Sequence, residues 1–190
     1  MRHVLSALVI NEPGVLAGVA GMFSARGFNI DSLVVGRTED PNLSRMTIVV
    51  SADDNTLDQV RKQLAKLVAV AEVRDFKDTA HIERDLLLIA VSVAPDRRRE
   101  VVELVELFRG KVVDVAPTSL MIELAGTEDK LEAFIDLMRP YGIEQLARTG
   151  VIAMPRGAQV AKDKATTGEP GPKKRVRALD APAGVALPPS

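Results

Sequence analysis

The sequence predicts an α+β fold of two ferredoxin-like βαββαβ units, followed by a tail that belongs to neither. Three observations carry this expectation. Strand-like apolar runs alternate with helically spaced apolar residues in the order β-α-β-β-α-β over the first eighty residues. The same order recurs from Asp85 to Met154. From Arg156 onward the pattern gives way to Ala, Gly, Pro, Lys and Thr, with five prolines among the last 21 residues, a composition too poor in apolar surface to order itself. The expected boundaries are 1–79, 80–157 and 158–190, the last a disordered basic segment.

In the first unit, Val4 to Ile10 is largely apolar and β-branched, as expected of a strand buried on both faces. Val15, Leu16, Val19, Met22 and Phe23 recur at helical spacing and form one apolar face, and Arg26-Gly27 ends that helix with a cation and a glycine stop. Phe28 to Arg37 and Ser44 to Ala52 read as strands joined by the turn residues Thr38 to Asn42, a hairpin. A second helix, Thr56 to Val68, carries Leu57, Val60, Leu64 and Leu67 on one side and charged or amide residues on the other. Val70 to Lys77 returns as the fourth strand, so that two helices cover one face of an antiparallel sheet.

The second unit follows the same course. Asp85 to Val93 is its first strand, and Arg97 to Arg109 a helix with Val101, Val102, Leu104, Val105 and Phe108 inward. Lys111 to Ala116 and Ser119 to Ala125 form a hairpin turned by Pro117-Thr118. A helix from Glu128 to Arg139 stops at Pro140, and Gly142 to Thr149 with Val151 to Met154 finishes the sheet. Its first loop, Ala94-Pro95-Asp96-Arg97-Arg98-Arg99, has no glycine and three successive cations. This unit is therefore expected to be structural or to contact a partner, without a ligand site like that of the first.

Composition excludes several classes of function. With five Phe, one Tyr and no Trp among 190 residues, the cores must be aliphatic. Where an RNA-binding split βαβ fold presents aromatic residues, the central strand here offers Ile48, Val49 and Val50. A net charge of -1 gives no pull toward nucleic acid or membrane, and 18 consecutive apolar residues occur nowhere. Absence of cysteine fits a reducing compartment, and Met1-Arg2-His3 leads straight into a strand, so the expectation is a soluble, cytoplasmic protein. Only His3 and His81 are present, too few for a histidine metal site, and with no catalytic triad in view. Glu83 and Asp85 flank Arg84 and read as a charged surface turn rather than a desolvated carboxylate pair. Gly14, Gly18 and Gly21 lack phosphate-loop spacing; the latter two read as points of close helix packing. The Lys173-Lys174-Arg175-Val176-Arg177 cluster suits an acidic or phosphate-bearing partner, or simply solvent.

What remains is the turn Asn11-Glu12-Pro13-Gly14, which leads from the first strand into the first helix. Pro13 suits a first-turn position, and Gly14, lacking a Cβ, admits close approach to the backbone. The amides of Gly14, Val15 and Leu16 then face the helix N-terminus, where negative charge is favoured by roughly 0.3 to 1 kcal/mol. An amino-acid carboxylate fits there, although the same punctuation serves any strand-to-helix turn. Asn29, set among apolar neighbours beside Ile30, adds an amide that both donates and accepts.

These residues resemble an ACT domain, a small-molecule sensing module, and more closely the small regulatory subunit of acetolactate (acetohydroxyacid) synthase. The resemblance rests on Asn11-Glu12-x-Gly14-x-Leu16, on Arg26-Gly27-Phe28-Asn29-Ile30-Asp31-Ser32-Leu33 and on Ser44-Arg45-Met46-Thr47-Ile48. It continues through Phe108-Arg109-Gly110, Val113-Asp114-Val115-x-Pro117 and Ala147-Arg148-x-Gly150, covering about residues 2–157. It implies that 1–79 is an ACT domain and that the chain is non-catalytic, activating a large catalytic subunit and conferring feedback inhibition by a branched-chain amino acid, valine foremost. It further implies a homodimer in which two ACT domains pair side by side into one sheet. Asn11, Gly14, Val15 and Leu16 of one copy would hold the effector against Asn29 and Ile30 of the other. Thiamine diphosphate, Mg²⁺ and FAD would belong to the catalytic partner, with no cofactor in this chain. A free-standing ACT sensor acting on another enzyme or on transcription is the alternative, and it would need DNA-binding elements that the sequence does not show.

Overall fold

The computed structural model describes residues 1–157, so the expected disordered tail at 158–190 lies outside the described residues. The first unit contains β1 (Arg2–Ile10), α1 (Val15–Ser24), β2 (Ser32–Arg37), β3 (Leu43–Ser51), α2 (Asp54–Lys66) and β4 (Val70–Asp75). Its antiparallel sheet has the order β2-β3-β1-β4. Alternation places Leu5, Ala7 and Val9 with Met46, Ile48 and Val50 on the face that α1 and α2 cover through Val19, Phe23, Leu57, Val60 and Leu64.

Two of the boundaries that differ from the sequence pattern do so for a local reason. The second helix begins at Asp54 because the Asp53 carboxylate caps it, accepting the Thr56 amide at 2.7 Å. The strand expected from Phe28 begins at Ser32 because Gly27, at φ 68°, closes α1 with the pair of bonds typical of a Schellman turn. Gly27 N donates to Ser24 O and Phe28 N to Phe23 O, both at 3.1 Å, and the Phe23 and Phe28 rings meet edge-on. Phe28 and Ile30 are thereby drawn against the core before the sheet resumes.

The second unit contains β5 (His81–Ser92), α3 (Arg98–Leu107), β6 (Lys111–Val115), β7 (Ser119–Gly126), α4 (Glu128–Met138), a 3-10 turn (Arg139–Tyr141) holding Pro140, and β8 (Ile143–Arg148). Its sheet runs β6-β7-β5-β8 over a second core of Leu87, Ile89, Val91, Ile122, Leu124 and Phe134. All three cations of its first loop have partners within the chain. Arg97 lies over the Tyr141 ring and bonds Glu100, Arg98 holds the Ala116 and Pro117 carbonyls, and Arg99 pairs with Glu103.

The segment after β8 finishes the second sheet, as the sequence pattern expects. β9 (Ile152–Pro155) is its fifth strand and pairs with the first four residues of β5, His81 to Arg84, off the β6-β7-β5-β8 path. Val151 and Ala153 then bury Val4, Val49 and Phe76 in a third core on the face of the first sheet that its helices leave open. This is why β1 is buried on both faces.

Candidate functional site

The turn after β1 is held from below by Asn11. Its Nδ2 donates to Pro41 O at 3.0 Å, its Oδ1 accepts from Ser44 Oγ at 3.1 Å, and its amide donates to Asn42 O at 2.8 Å. Gly14 takes the left-handed conformation, φ 85° and ψ -16°, as the residue immediately before α1, with no side-chain cap. Pro13 therefore lies outside the helix rather than in its first turn, because the chain reverses at Gly14. The Val15 amide is directed to Glu12 O at 3.4 Å, and the first helical bond runs from Gly18 N to Gly14 O at 2.8 Å. Only part of the expected amide cradle stays available, since the first-turn amides that lack intrahelical acceptors are those ahead of Gly18.

Leu16 is 47% exposed and does not join the inward face of α1, which consists of Val19, Met22 and Phe23 with Val15 beside them. Gly18 and Gly21 face open space, with nothing within 4 Å of a Cβ at either, so they are not points of close packing. The start of α1 presents an exposed leucine on a smooth backbone surface beside Gly14. Asn29 is exposed, and its Nδ2 donates to Asp31 Oδ1 at 2.9 Å; Asp31 N begins the sheet by donating to Val49 O.

The two halves do not meet within one chain. Asn11 stands beside Asn42, at the end of the sheet where Ile10 opposes Leu43, while Asn29 and Ile30 precede Ser32, which opposes Val49. At about 3.4 Å of rise per residue, β3 separates them by on the order of 20 Å.

Glu83 and Asp85 are not a surface turn. Both lie in β5, and Asp85 is 2% exposed, because the period of two that turns Leu87 and Ile89 inward turns Asp85 inward too. Its carboxylate accepts the Arg148 guanidinium at 2.6 and 2.8 Å, the Thr149 hydroxyl at 3.2 Å and the Gly150 amide at 3.1 Å. Glu83 accepts Arg2 at 2.8 Å and contacts His81 Nε2 at 2.8 Å. Burial works to raise the Glu83 carboxyl, but the hydrogen bonds from Arg2 and His81 outweigh it and hold it below the ordinary glutamate value of 4.5. Among the described residues no three His, Asp or Glu side chains gather as a metal site, and no helix is long and apolar enough to cross a membrane.

Comparison with known proteins decides the family. Residues 84–157 match the family described as the small subunit of acetolactate synthase, and residues 5–72 the ACT domain described as acetohydroxyacid synthase small subunit-like. A probable acetolactate synthase small subunit of Archaeoglobus fulgidus is 55% identical over 157 residues, 83% of this chain and 98% of that protein. The chain belongs to the acetolactate synthase small-subunit family. The Salmonella typhimurium isozyme 3 small subunit is 45% identical, over 85% of this chain and all of its own length. Among solved structures, the Thermotoga maritima acetolactate synthase small subunit superposes with a TM-score of 0.76 at 43% identity, covering 82% of this chain and 98% of its own. The two stretches that match small-subunit families coincide with the two βαββαβ units, and the ACT match contains both halves of the candidate site.

Proposed function

We propose that this chain is the non-catalytic regulatory subunit of an acetolactate synthase, raising the activity of a large catalytic subunit and conferring feedback inhibition by a branched-chain amino acid, valine foremost. Membership of the small-subunit family supports the catalytic partner. Thiamine diphosphate, Mg²⁺ and FAD are assigned to that partner, in the cytoplasm.

The effector assignment is carried by one observation, the separation of Asn11 and Asn29 along β3. β2 is an edge strand, paired on one side with β3, and its Arg37 end lies at the Asn11 end of the sheet because Arg37 opposes Ser44. Antiparallel pairing of β2 with the β2 of a second copy brings that copy's strand start, with its Asn29 and Ile30, to the Asn11 end. Pairing through β4, the other edge, leaves Asn29 of the second copy on the far side of its own sheet. A dimer through β2 thus joins Asn11, Gly14, Val15 and Leu16 of one copy with Asn29 and Ile30 of the other. Gly14 and the first-turn amides receive the carboxylate, the two Asn side chains supply polar partners, and Leu16 with Ile30 receives the aliphatic side chain. Burial of an isopropyl group there contributes about 1.5 to 3 kcal/mol.

Titration calorimetry with valine, leucine, isoleucine and histidine, alone and with the catalytic subunit present, tests this. Saturable binding of a branched-chain amino acid at one or two sites per dimer is expected. Binding of none of them, or of histidine equally well, overturns it.

A further inference from the structure

The strand that follows Asn29 and Ile30 is joined at its start to the second unit. Gly150, at φ 83°, lies against the start of β2, and a Cβ built on it would come within 2.5 Å of Ser32 Oγ and 2.9 Å of Val34 Cγ2. Next to it, Val151 N donates to Ser32 Oγ at 3.4 Å. On its other side the turn is fastened to the second unit. Buried Asp85 takes Arg148, Thr149 and Gly150 on one carboxylate, Thr149 N donates to Leu86 O at 3.0 Å, and Leu86 N donates to Thr149 Oγ1 at 3.1 Å. The outer face of Arg148 pairs with Glu132 of α4. The turn is therefore rigid toward β5 and α4, and it touches β2 three and five residues beyond Asn29.

We propose that the Arg148–Val151 turn, seated by Gly150 on Ser32 and Val34 and held by Asp85, couples the β2 end of the effector site to the second unit. Gly150 is its positioning residue. The coupling rests on the proposed function above: a shift of β2 against the β2 of a second copy on effector binding cannot occur without moving Ser32 and Val34. Val34 is β-branched and stiff, so a glycine-tight contact on its methyl transmits that movement rather than absorbing it. Asp85 then passes it to β5 and Arg148 to α4. The coupling is reciprocal, so whatever α4 and β5 contact also biases effector affinity.

The test uses the complex of full-length chain with catalytic subunit, comparing wild type, Gly150→Ala, Val34→Ala and the double variant. Ala at position 150 carries the same left-handed strain and the same close approach to Ser32 Oγ in the single and the double, so recovery in the double isolates the contact with Val34. Gly150→Ala is expected to keep the valine Kd within about threefold while the maximal inhibition at saturating valine falls at least fivefold, with part of it regained in the double. Hydrogen exchange on the full chain without effector is expected to show amides 31–35 exchanging at least tenfold faster in Gly150→Ala and returning toward wild type in the double. Unchanged maximal inhibition, equal losses of Kd and inhibition without recovery, or exchange changes confined to 148–151 would overturn the coupling. If the wild type binds no branched-chain amino acid, the effector reading fails, and the exchange arm still decides whether the turn governs β2.

Discussion

Arg2 and Glu83 form a two-pronged pair across the two units, with guanidinium nitrogens 2.8 and 3.3 Å from the two carboxylate oxygens and 81 positions between the residues. Arg2 Nε also meets Glu128 at 2.9 Å, at the start of α4. The first strand of one unit is thus bolted to the first strand and last helix of the other, at the end where β9 closes the third core.

This pair sets a pH dependence. Glu83 is held below its ordinary value of 4.5, so the unfolded chain binds its proton more readily than the folded one. The stabilisation is fully present above the unfolded value and is lost as pH falls through the lower folded value. Urea midpoints measured from about pH 3 to 7 should therefore fall less steeply on the acid side in Glu83→Gln than in wild type. At neutral pH, Arg2→Met should lose about 1 kcal/mol, or about 2–4 °C in Tm. An unaltered acid limb in Glu83→Gln would show the pair to be idle.

Gly14 separates strain from charge. At φ 85° any L side chain costs about 1–2 kcal/mol, yet nothing lies within 4 Å of a Cβ there, so Gly14→Ala and Gly14→Asp should both fold. Only Gly14→Asp sets a carboxylate against that of the proposed effector. Inhibition of the reconstituted synthase by valine should weaken more than tenfold in Gly14→Asp and considerably less in Gly14→Ala, with activation of the catalytic subunit kept in both. Retained valine inhibition in Gly14→Asp would remove this turn from the site.

The two site asparagines should differ in stability and agree in function. Asn11→Ala abandons the Pro41 carbonyl and the Ser44 hydroxyl, the latter on a residue 6% exposed, and should cost about 1–2 kcal/mol by denaturant titration. Among the described residues the Asn29 side chain hydrogen-bonds only to Asp31, and it is exposed, so Asn29→Ala should stay within about 0.5 kcal/mol of wild type. Both should weaken the valine response several-fold. A normal response in Asn29→Ala would place the second half of the site elsewhere.

These residues also mark how far the sequence is legible. Both βαββαβ units could be read because each helix and strand keeps its own period, and Arg26-Gly27 announced the stop that aims Phe28 and Ile30 inward. Leu16 was misread because a helical spacing of apolar residues does not say where the stripe ends, and Gly14 turns the chain before Leu16 can reach the core. Asp85 and Gly150 were missed as a pair because their contact spans 65 positions, although the parity of Asp85 with Leu87 and Ile89 already placed it on the inner face. β9 was legible as a last strand of the second sheet, but its place on the first four residues of β5 was not, because its pattern does not name a partner and the open face of the first sheet decides.

The third core should govern whether the two units unfold together. Phe76 is 2% exposed and stacks on the His81 ring with centroids 4.8 Å apart, in the cluster that Val4, Val49, Val151 and Ala153 complete between the units. Phe76→Ala removes about 3–5 kcal/mol from that junction and leaves the first and second cores intact. The chain has one tyrosine and no tryptophan, and Tyr141 stands in the second unit beneath Arg97, so its fluorescence reports on that unit, whereas far-ultraviolet circular dichroism reports on both. In wild type the two signals should trace one urea transition. In Phe76→Ala they should separate, with the dichroism midpoint falling before that of Tyr141. Coincident transitions in the variant would mean that the Arg2, Glu83 and Gly150 contacts suffice to hold the units as one cooperative body.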